Sequence, residues 1–212
     1  MRPQVGIIDY GRGNLRSVAK ALEAVGARVR VSDSPRALDA CAGIVLPGVG
    51  AFGDAMTALR KQGFVSFVKR VAAEGRPLFC VCVGQQLFYE YGTEYGRHEG
   101  LGFFKGTVSR FPAGLKIPHM GWNQVRFRPD FPLAKGLGKN EEFYFVHSFR
   151  AKTPARADAS GTTRYGRDSF DSALWRGNLF AAQFHPEKSQ KAGLKIYQNF
   201  WKLVQKNQGI LC

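Results

Sequence analysis

Over the first ninety residues, short apolar runs alternate with stretches whose apolar residues recur at helical spacing. Residues 4–10, QVGIIDY, read as a buried strand. Leu15, Val18, Ala19, Leu22 and Val25 then mark a helix, with Asn14 placed to cap it and Gly26 to end it. ARVRV (27–31) alternates like a strand, and GIVLPG (43–48) is an apolar strand ending in a Pro-Gly loop. A helical pattern over 54–74 follows, then a strand at PLFCV (77–81) and a helix over 83–91. Apolar strands separated by helices predict a parallel sheet covered on both faces.

The pattern changes in the middle. Between 101 and 176 come extended pieces punctuated by Gly and Pro: GTVSRF, WNQVRF, EFYFVHSF and DSALWRG. They predict antiparallel strands at one side of the sheet. NLFAAQFHPE (178–187) reads as one more strand. Ser189 is placed to cap a last helix with Ile196, Tyr197, Phe200, Leu203 and Val204 on one face. The expectation is an α/β fold, an open mixed sheet with a parallel centre flanked by helices and an antiparallel side extension. No repeat or linker divides residues 1–212, which read as one domain.

Charge is the unusual feature of the composition. Lys and Arg number 31 against 16 Asp and Glu, a net charge of +15. A nucleic-acid partner would fit that balance, but the cations are spread along the chain, with no block of five and no aromatic-basic motif. A solvated basic surface, or a basic face for an acidic protein partner, is the better reading. No apolar run approaches the roughly 20 residues that span a bilayer. The N-terminal apolar stretch reaches Asp9 too soon for a signal peptide, so a cytoplasmic location is expected. There the four cysteines, 41, 80, 82 and 212, would be reduced thiols.

The chemistry centres on Cys80-Val81-Cys82-Val83-Gly84. A strand running into a helix through a sharp turn can present a nucleophile, provided the residues two places either side are small. With Cys82 at the turn, Cys80 and Gly84 occupy those places. A helix N-terminus lowers a thiol's pKa, and the Val83 amide would point at a developing oxyanion. Core packing of both thiols is the competing reading. A zinc site is not supported, because Cys41, Cys212 and the four histidines supply no second ligand pair. His185 and Glu187 stand two apart in QFHPEKS (183–189), on one face if the segment is extended. A cysteine nucleophile needs a histidine base, and the base needs a carboxylate to hold its tautomer. Gly48 and Gly50 around Val49 make a flexible loop at a strand's carboxyl end, where open α/β sheets bind ligands.

Taken together, these pieces resemble class I, triad-type glutamine amidotransferase domains. IDYGRGNLRS (8–17), LPGVGAFGDAM (46–56), IPHMGWNQV (117–125), YFVHSF (144–149) and QFHPEKSQKAGL (183–194) are similar, nearly end to end, to glutaminase subunits of imidazole glycerol phosphate synthase. The resemblance implies hydrolysis of glutamine through a thioester on Cys82, with His185 shuttling the proton and Glu187 orienting His185. It implies an oxyanion hole from Val49, Gly50 and Val83, and substrate contacts from Gln86, Glu94, His147 and Ser148. It places Trp122, Asn123, Tyr144 and Lys188 toward a (βα)₈-barrel cyclase that receives the ammonia and makes imidazole glycerol phosphate and an aminoimidazole carboxamide ribotide. No metal or cofactor is implied.

The elbow departs from the family's pattern. Where its elbow reads G-I-C-L-G-M-Q, this chain has C-V-C-V-G-Q-Q. Cys80 brings a side chain to a tight turn, and Gln85 stands where an apolar residue is expected beside the site. The alternatives left open are a paralogue serving a sugar-aminating synthase and a non-enzymatic interaction protein on the same fold.

Overall fold

A computed structural model of the chain describes residues 3–139, 141–154 and 158–208. Cys212 lies outside the described residues. In chain order the first half comprises β1 (Val5–Ile8), α1 (Leu15–Ala24), β2 (Val29–Ser32), α2 (Pro35–Leu38), β3 (Gly43–Gly48), α3 (Phe52–Lys61), α4 (Phe64–Ala73), β4 (Leu78–Cys82), α5 (Val83–Gln86), β5 (Tyr89–Gly92), β6 (His98–Glu99) and β7 (Phe104–Arg110). The second half comprises β8 (His119–Gln124), β9 (Arg126–Phe127), β10 (Glu142–His147), β11 (Phe149–Arg150), β12 (Ala159–Tyr165), β13 (Asp168–Arg176), β14 (Leu179–Ala182) and α6 (Gln190–Gln208).

The main sheet has eight strands in the order β2-β1-β3-β4-β14-β13-β12-β9. Its first five strands are parallel, and β13, β12 and β9 extend it antiparallel. The parallel strands β1, β3, β4 and β14 are buried along their whole length, as apolar strands covered on two faces must be. α6 lies on β4 and β14, with Phe200 against Phe79 and Phe180, and Tyr197 edge-on to Phe79. The expected antiparallel extension is present, but only part of the middle region joins the main sheet. β8 and β10 pair separately, and β11, β7, β5 and β6 make a third sheet in which β5 and β7 run parallel.

Five local expectations are corrected. The helix over 54–74 is two helices, because Gly63 takes φ +74 and breaks the ladder. The helix over 83–91 ends at Gln86. The Leu87 and Phe88 carbonyls accept the amides of Leu101 and Phe104, and Tyr89–Gly92 then pairs with β7, so strand pairing overrides helical spacing. The strand over 178–187 stops at Ala182, and Pro186–Lys188 form a 3₁₀ turn. Asn14 makes no side-chain cap on α1. The Ser189 hydroxyl is likewise turned elsewhere, accepting from the Tyr144 amide at 3.0 Å and donating to the His185 carbonyl at 2.6 Å.

Candidate active site

β4 delivers Cys82 to the end of a fully buried strand, and α5 begins at the next residue. At Cys82 the chain takes φ 58 and ψ −114, a conformation that costs a non-glycine residue about 1–3 kcal/mol and collects at functional sites. Gly84 makes the turn possible. A Cβ there would stand 2.2 Å from the Leu46 carbonyl oxygen of β3. The Cys80 Cβ would be 3.4 Å from the same point, an ordinary contact, so the tight side of the elbow is β3 rather than Cys80. Cys80 is fully buried and burial pushes its thiol well above the usual range, which makes it inert. Cys41 is also buried with its pKa raised, first by burial. The dipole argument for Cys82 weakens, since α5 is only four residues long.

His185 and Glu187 meet across the 3₁₀ turn, not along a strand face. His185 Nδ1 lies 2.7 Å from Glu187 Oε1, and both side chains are buried. A carboxylate only accepts, so Nδ1 carries a proton and Nε2 is the nitrogen that exchanges its proton with the Cys82 side. Nε2 makes no ordinary hydrogen bond and faces Cys82. Burial opposes charge on this ring, but the Cys82 thiolate and then Glu187 outweigh it and push the pKa up to about 10. The Tyr197 hydroxyl donates to Glu187 Oε2 at 3.5 Å, and the Tyr144 carbonyl accepts the His185 amide at 2.9 Å.

A pocket of about 510 Å³ opens over Cys82, the size of a small-ligand site. Cys82, Val83, His185, Val49, Gly50, Gln86, Glu94, His147, Ser148 and Lys188 all line it, joined by Asn14, Ala51, Tyr95, Pro118, Val146 and Phe149. Val49 is 41% exposed at the rim and Gly50 holds φ +91. Glu94 also accepts the Phe52 amide at the start of α3, at 3.0 Å. Gln85 turns away from the pocket, its amide donating to the Asp171 carbonyl of β13 at 2.7 Å.

Trp122, Tyr144 and Lys188 form one surface. Trp122 and Tyr144 are register partners with rings 6.1 Å apart, and Lys188 Nζ sits 5.6 Å over the Tyr144 ring. Asn123 lies on the other face of β8. It is half-buried and bonded to His119 and to the Arg164 carbonyl. Strand alternation separates it from its neighbour Trp122.

Two groups at the site escaped sequence reasoning. Gln183 is buried, accepts the Gln86 amide at 2.9 Å and directs its own amide to Cys82 Sγ at 3.9 Å. Its position two residues before His185 was the available signal. Tyr197 reads from periodicity as core, and nothing in its spacing marks the Glu187 contact.

Among the described residues, no helix is long and apolar enough to cross a membrane, and no cluster of three His, Cys, Asp or Glu side chains is arranged to hold a metal. The profile of the class-I glutamine amidotransferase family matches residues 6–203. The imidazole glycerol phosphate synthase subunit HisH of Moorella thermoacetica is 48% identical over 205 residues, 97% of each chain. That of Aquifex aeolicus is 47% identical over 94% of this chain and 97% of the relative. Among solved structures, a glutamine amidotransferase shares the fold at TM-score 0.74 and 20% identity, over 94% of this chain and 98% of that one. PurLQS from Thermotoga maritima also reaches 0.74, at 21% identity over 96% and 99%. Residues 6–203 and near-full-length identity of almost one half lead to one conclusion: the chain belongs to the class-I glutamine amidotransferase family, as a HisH-type glutaminase subunit of imidazole glycerol phosphate synthase.

Proposed function

We propose that Cys82, His185 and Glu187 are the triad with which this glutaminase subunit of histidine biosynthesis hydrolyses glutamine. The Cys82 thiolate attacks the side-chain amide carbon. The proton on His185 Nε2 passes to the leaving nitrogen, so ammonia departs and a glutamyl thioester remains. Water then attacks the thioester, His185 takes its proton, and glutamate leaves as the thiol is restored. Glu187 holds the imidazolium that gives its proton in the first half-reaction and re-forms in the second. The Val83 amide and the Val49–Gly50 loop bear the oxyanion, and Gln86, Glu94, His147 and Ser148 hold the substrate. The chemistry needs neither metal nor cofactor. The observation that carries this reading is the 2.7 Å His185–Glu187 bond beside a strained cysteine, with Nε2 turned toward the thiol.

The chain acts as one catalytic domain, in the cytoplasm, as half of a heterodimer. It docks through Trp122, Tyr144 and Lys188, with Asn123 on the opposite face of β8, on a (βα)₈-barrel cyclase that consumes the ammonia, making imidazole glycerol phosphate and an aminoimidazole carboxamide ribotide. A net charge of +15 favours an acidic docking surface and an on-rate that falls as salt rises. The names of the curated relatives support the cyclase over a sugar-aminating synthase.

The test measures glutamate release by the chain alone, with its barrel cyclase partner, and with cyclase plus its ligand. Release should be near background alone and rise strongly in the full mixture. A glutamine-analogue electrophile should label Cys82. Label on Cys80, or full turnover by Cys82→Ala, refutes the assignment.

A further inference from the structure

The pair β8–β10 carries Trp122 on the surface and His147 at the pocket over Cys82, and its two faces differ. Trp122 and Tyr144 point out. His119 and His147, also register partners, point in and are almost fully buried. On the inner face the hydrogen bonds form a continuous chain. Asn123 Nδ2 is 3.1 Å from His119 Nε2, His119 Nδ1 is 2.9 Å from His147 Nε2, and His147 Nδ1 is 2.9 Å from the Phe149 carbonyl. The Gln86 amide donates to that same carbonyl at 3.0 Å and to Gln183 Oε1 at 2.9 Å, and Gln183 reaches Cys82.

The protons in this chain are determined from both ends. Phe149 offers only a lone pair, so His147 Nδ1 is the N–H and Nε2 accepts. His119 Nδ1 must then donate, leaving its Nε2 to accept from Asn123. At the far end, Asn123 Oδ1 accepts the Gln124 amide at 2.8 Å, and Nδ2 also donates to the Arg164 carbonyl, so the side-chain amide cannot be reversed without two repulsive contacts. Both rings are neutral in this arrangement. His119 is clasped between Phe145 and Tyr165, with centroids at 4.8 and 4.1 Å, and His147 packs on Phe111 and Phe170. These aromatic walls keep out water that could substitute for a lost partner.

We propose that Asn123, His119 and His147 are positioning residues for the glutaminase reaction, a hydrogen-bond relay of single polarity that holds Phe149, Gln86 and Gln183 in register with Cys82 and couples them to the strand that carries the docking surface. This rests on the triad reading given above. The rings spend their nitrogens on one another, on Asn123 and on the Phe149 carbonyl, so His147 meets the substrate through its backbone and the relay does not touch the thiol. It acts because β8 bears Trp122 on one face and His119 and Asn123 on the other, so a shift of β8 on docking moves the relay. Without a donor at its Nε2, His147 is held only by its Nδ1–H bond to Phe149, so the ring tilts and carries with it the carbonyl oxygen that anchors Gln86.

The experiment uses the complex with the barrel cyclase at saturating partner and ligand. His119→Phe keeps the aromatic packing and removes both hydrogen bonds. His119→Gln keeps an acceptor for Asn123 and a donor for His147. The kcat for glutamate release should fall at least tenfold in His119→Phe and recover to within threefold of wild type in His119→Gln. The KM for glutamine and the Kd for the cyclase should each move less than threefold. Asn123→Asp, which replaces the donor by an acceptor, should lower kcat similarly and supplies the test if His119→Phe does not fold. Nitrogen-15 spectra of the free chain at pH 7 should show both rings as neutral Nδ1–H tautomers. Wild-type kcat in His119→Phe or Asn123→Asp, or an Nε2–H tautomer at His147, overturns the relay while leaving the triad in place. A wild-type complex that releases no glutamate overturns both.

Discussion

Adding one methyl group to Gly84 tests whether the elbow is held by backbone contact. The new Cβ would stand 2.2 Å from the Leu46 carbonyl oxygen, where a carbon–oxygen contact ordinarily needs about 3.3 Å. The first turn of α5 and strand β3 must therefore part by about 1 Å. Neither side can yield by a rotamer change, because one is a carbonyl in a buried strand and the other a backbone carbon. Overpacking of this kind costs about 1–3 kcal/mol, and the rigid partner puts Gly84→Ala toward the upper end. The same movement carries the Val83 amide away from the oxyanion position and shifts Cys82. A displacement of about 1 Å costs on the order of 10² in rate, and loss of one oxyanion donor on the order of 10²–10³. Urea denaturation should show the stability loss, and the rate of Cys82 labelling by a glutamine-analogue electrophile should fall at least 10²-fold. The double variant Cys80→Gly/Gly84→Ala should be no better, since the obstruction is the Leu46 carbonyl and not the Cys80 side chain. A Gly84→Ala chain with unchanged stability and labelling within twofold of wild type refutes the steric argument.

Three further outcomes are expected. Glu187→Gln keeps the shape of the His185 contact but removes the charge that stabilises the imidazolium, so glutamate release by the complex should fall by on the order of 10²–10⁴; wild-type turnover would transfer that role to another group. Cys80→Ser should retain most activity and all labelling at Cys82, and a large loss of either would show that the buried thiol takes part. Burial holds His119 at about 4 and His147 at about 3 in the folded chain, against 6.5 unfolded, so the unfolded state binds more protons as pH drops below 6.5. The stability present above pH 6.5 should decline toward pH 4 by up to about 1.4 kcal/mol per pH unit for each ring. Denaturation midpoints from pH 7 to 4.5 read the slope, which should be shallower in His119→Phe and would be unchanged if His119 were already charged.

Much of this protein is legible along the chain. Apolar runs such as GIVLPG and PLFCV, bounded by helical spacing, specify parallel strands buried on both faces, because that arrangement depends on side chains next to one another in sequence. Cys82 with Gly84, and His185 with Glu187, are readable for a related reason: each pair is set within one turn, where spacing and geometry are nearly the same thing. Even so, the turn joining His185 to Glu187 is a 3₁₀ turn and not the extended segment that i, i+2 spacing predicted, because the strand ends at Ala182 and Pro186 opens the turn.

What the chain could not disclose are relations between distant segments. Tyr89–Gly92 became a strand because β7 offered it a ladder, against its own helical spacing. Ser189 spends its hydroxyl on Tyr144 and His185, 45 and 4 residues away, and not on the helix it precedes. Gln85, expected beside the pocket, found an acceptor on β13, 86 residues on. Gln183 became a neighbour of Cys82 across 101 residues, and Asn123 was divided from Trp122 by strand alternation. A buried polar group must find a partner, and only the folded chain decides which one lies within reach.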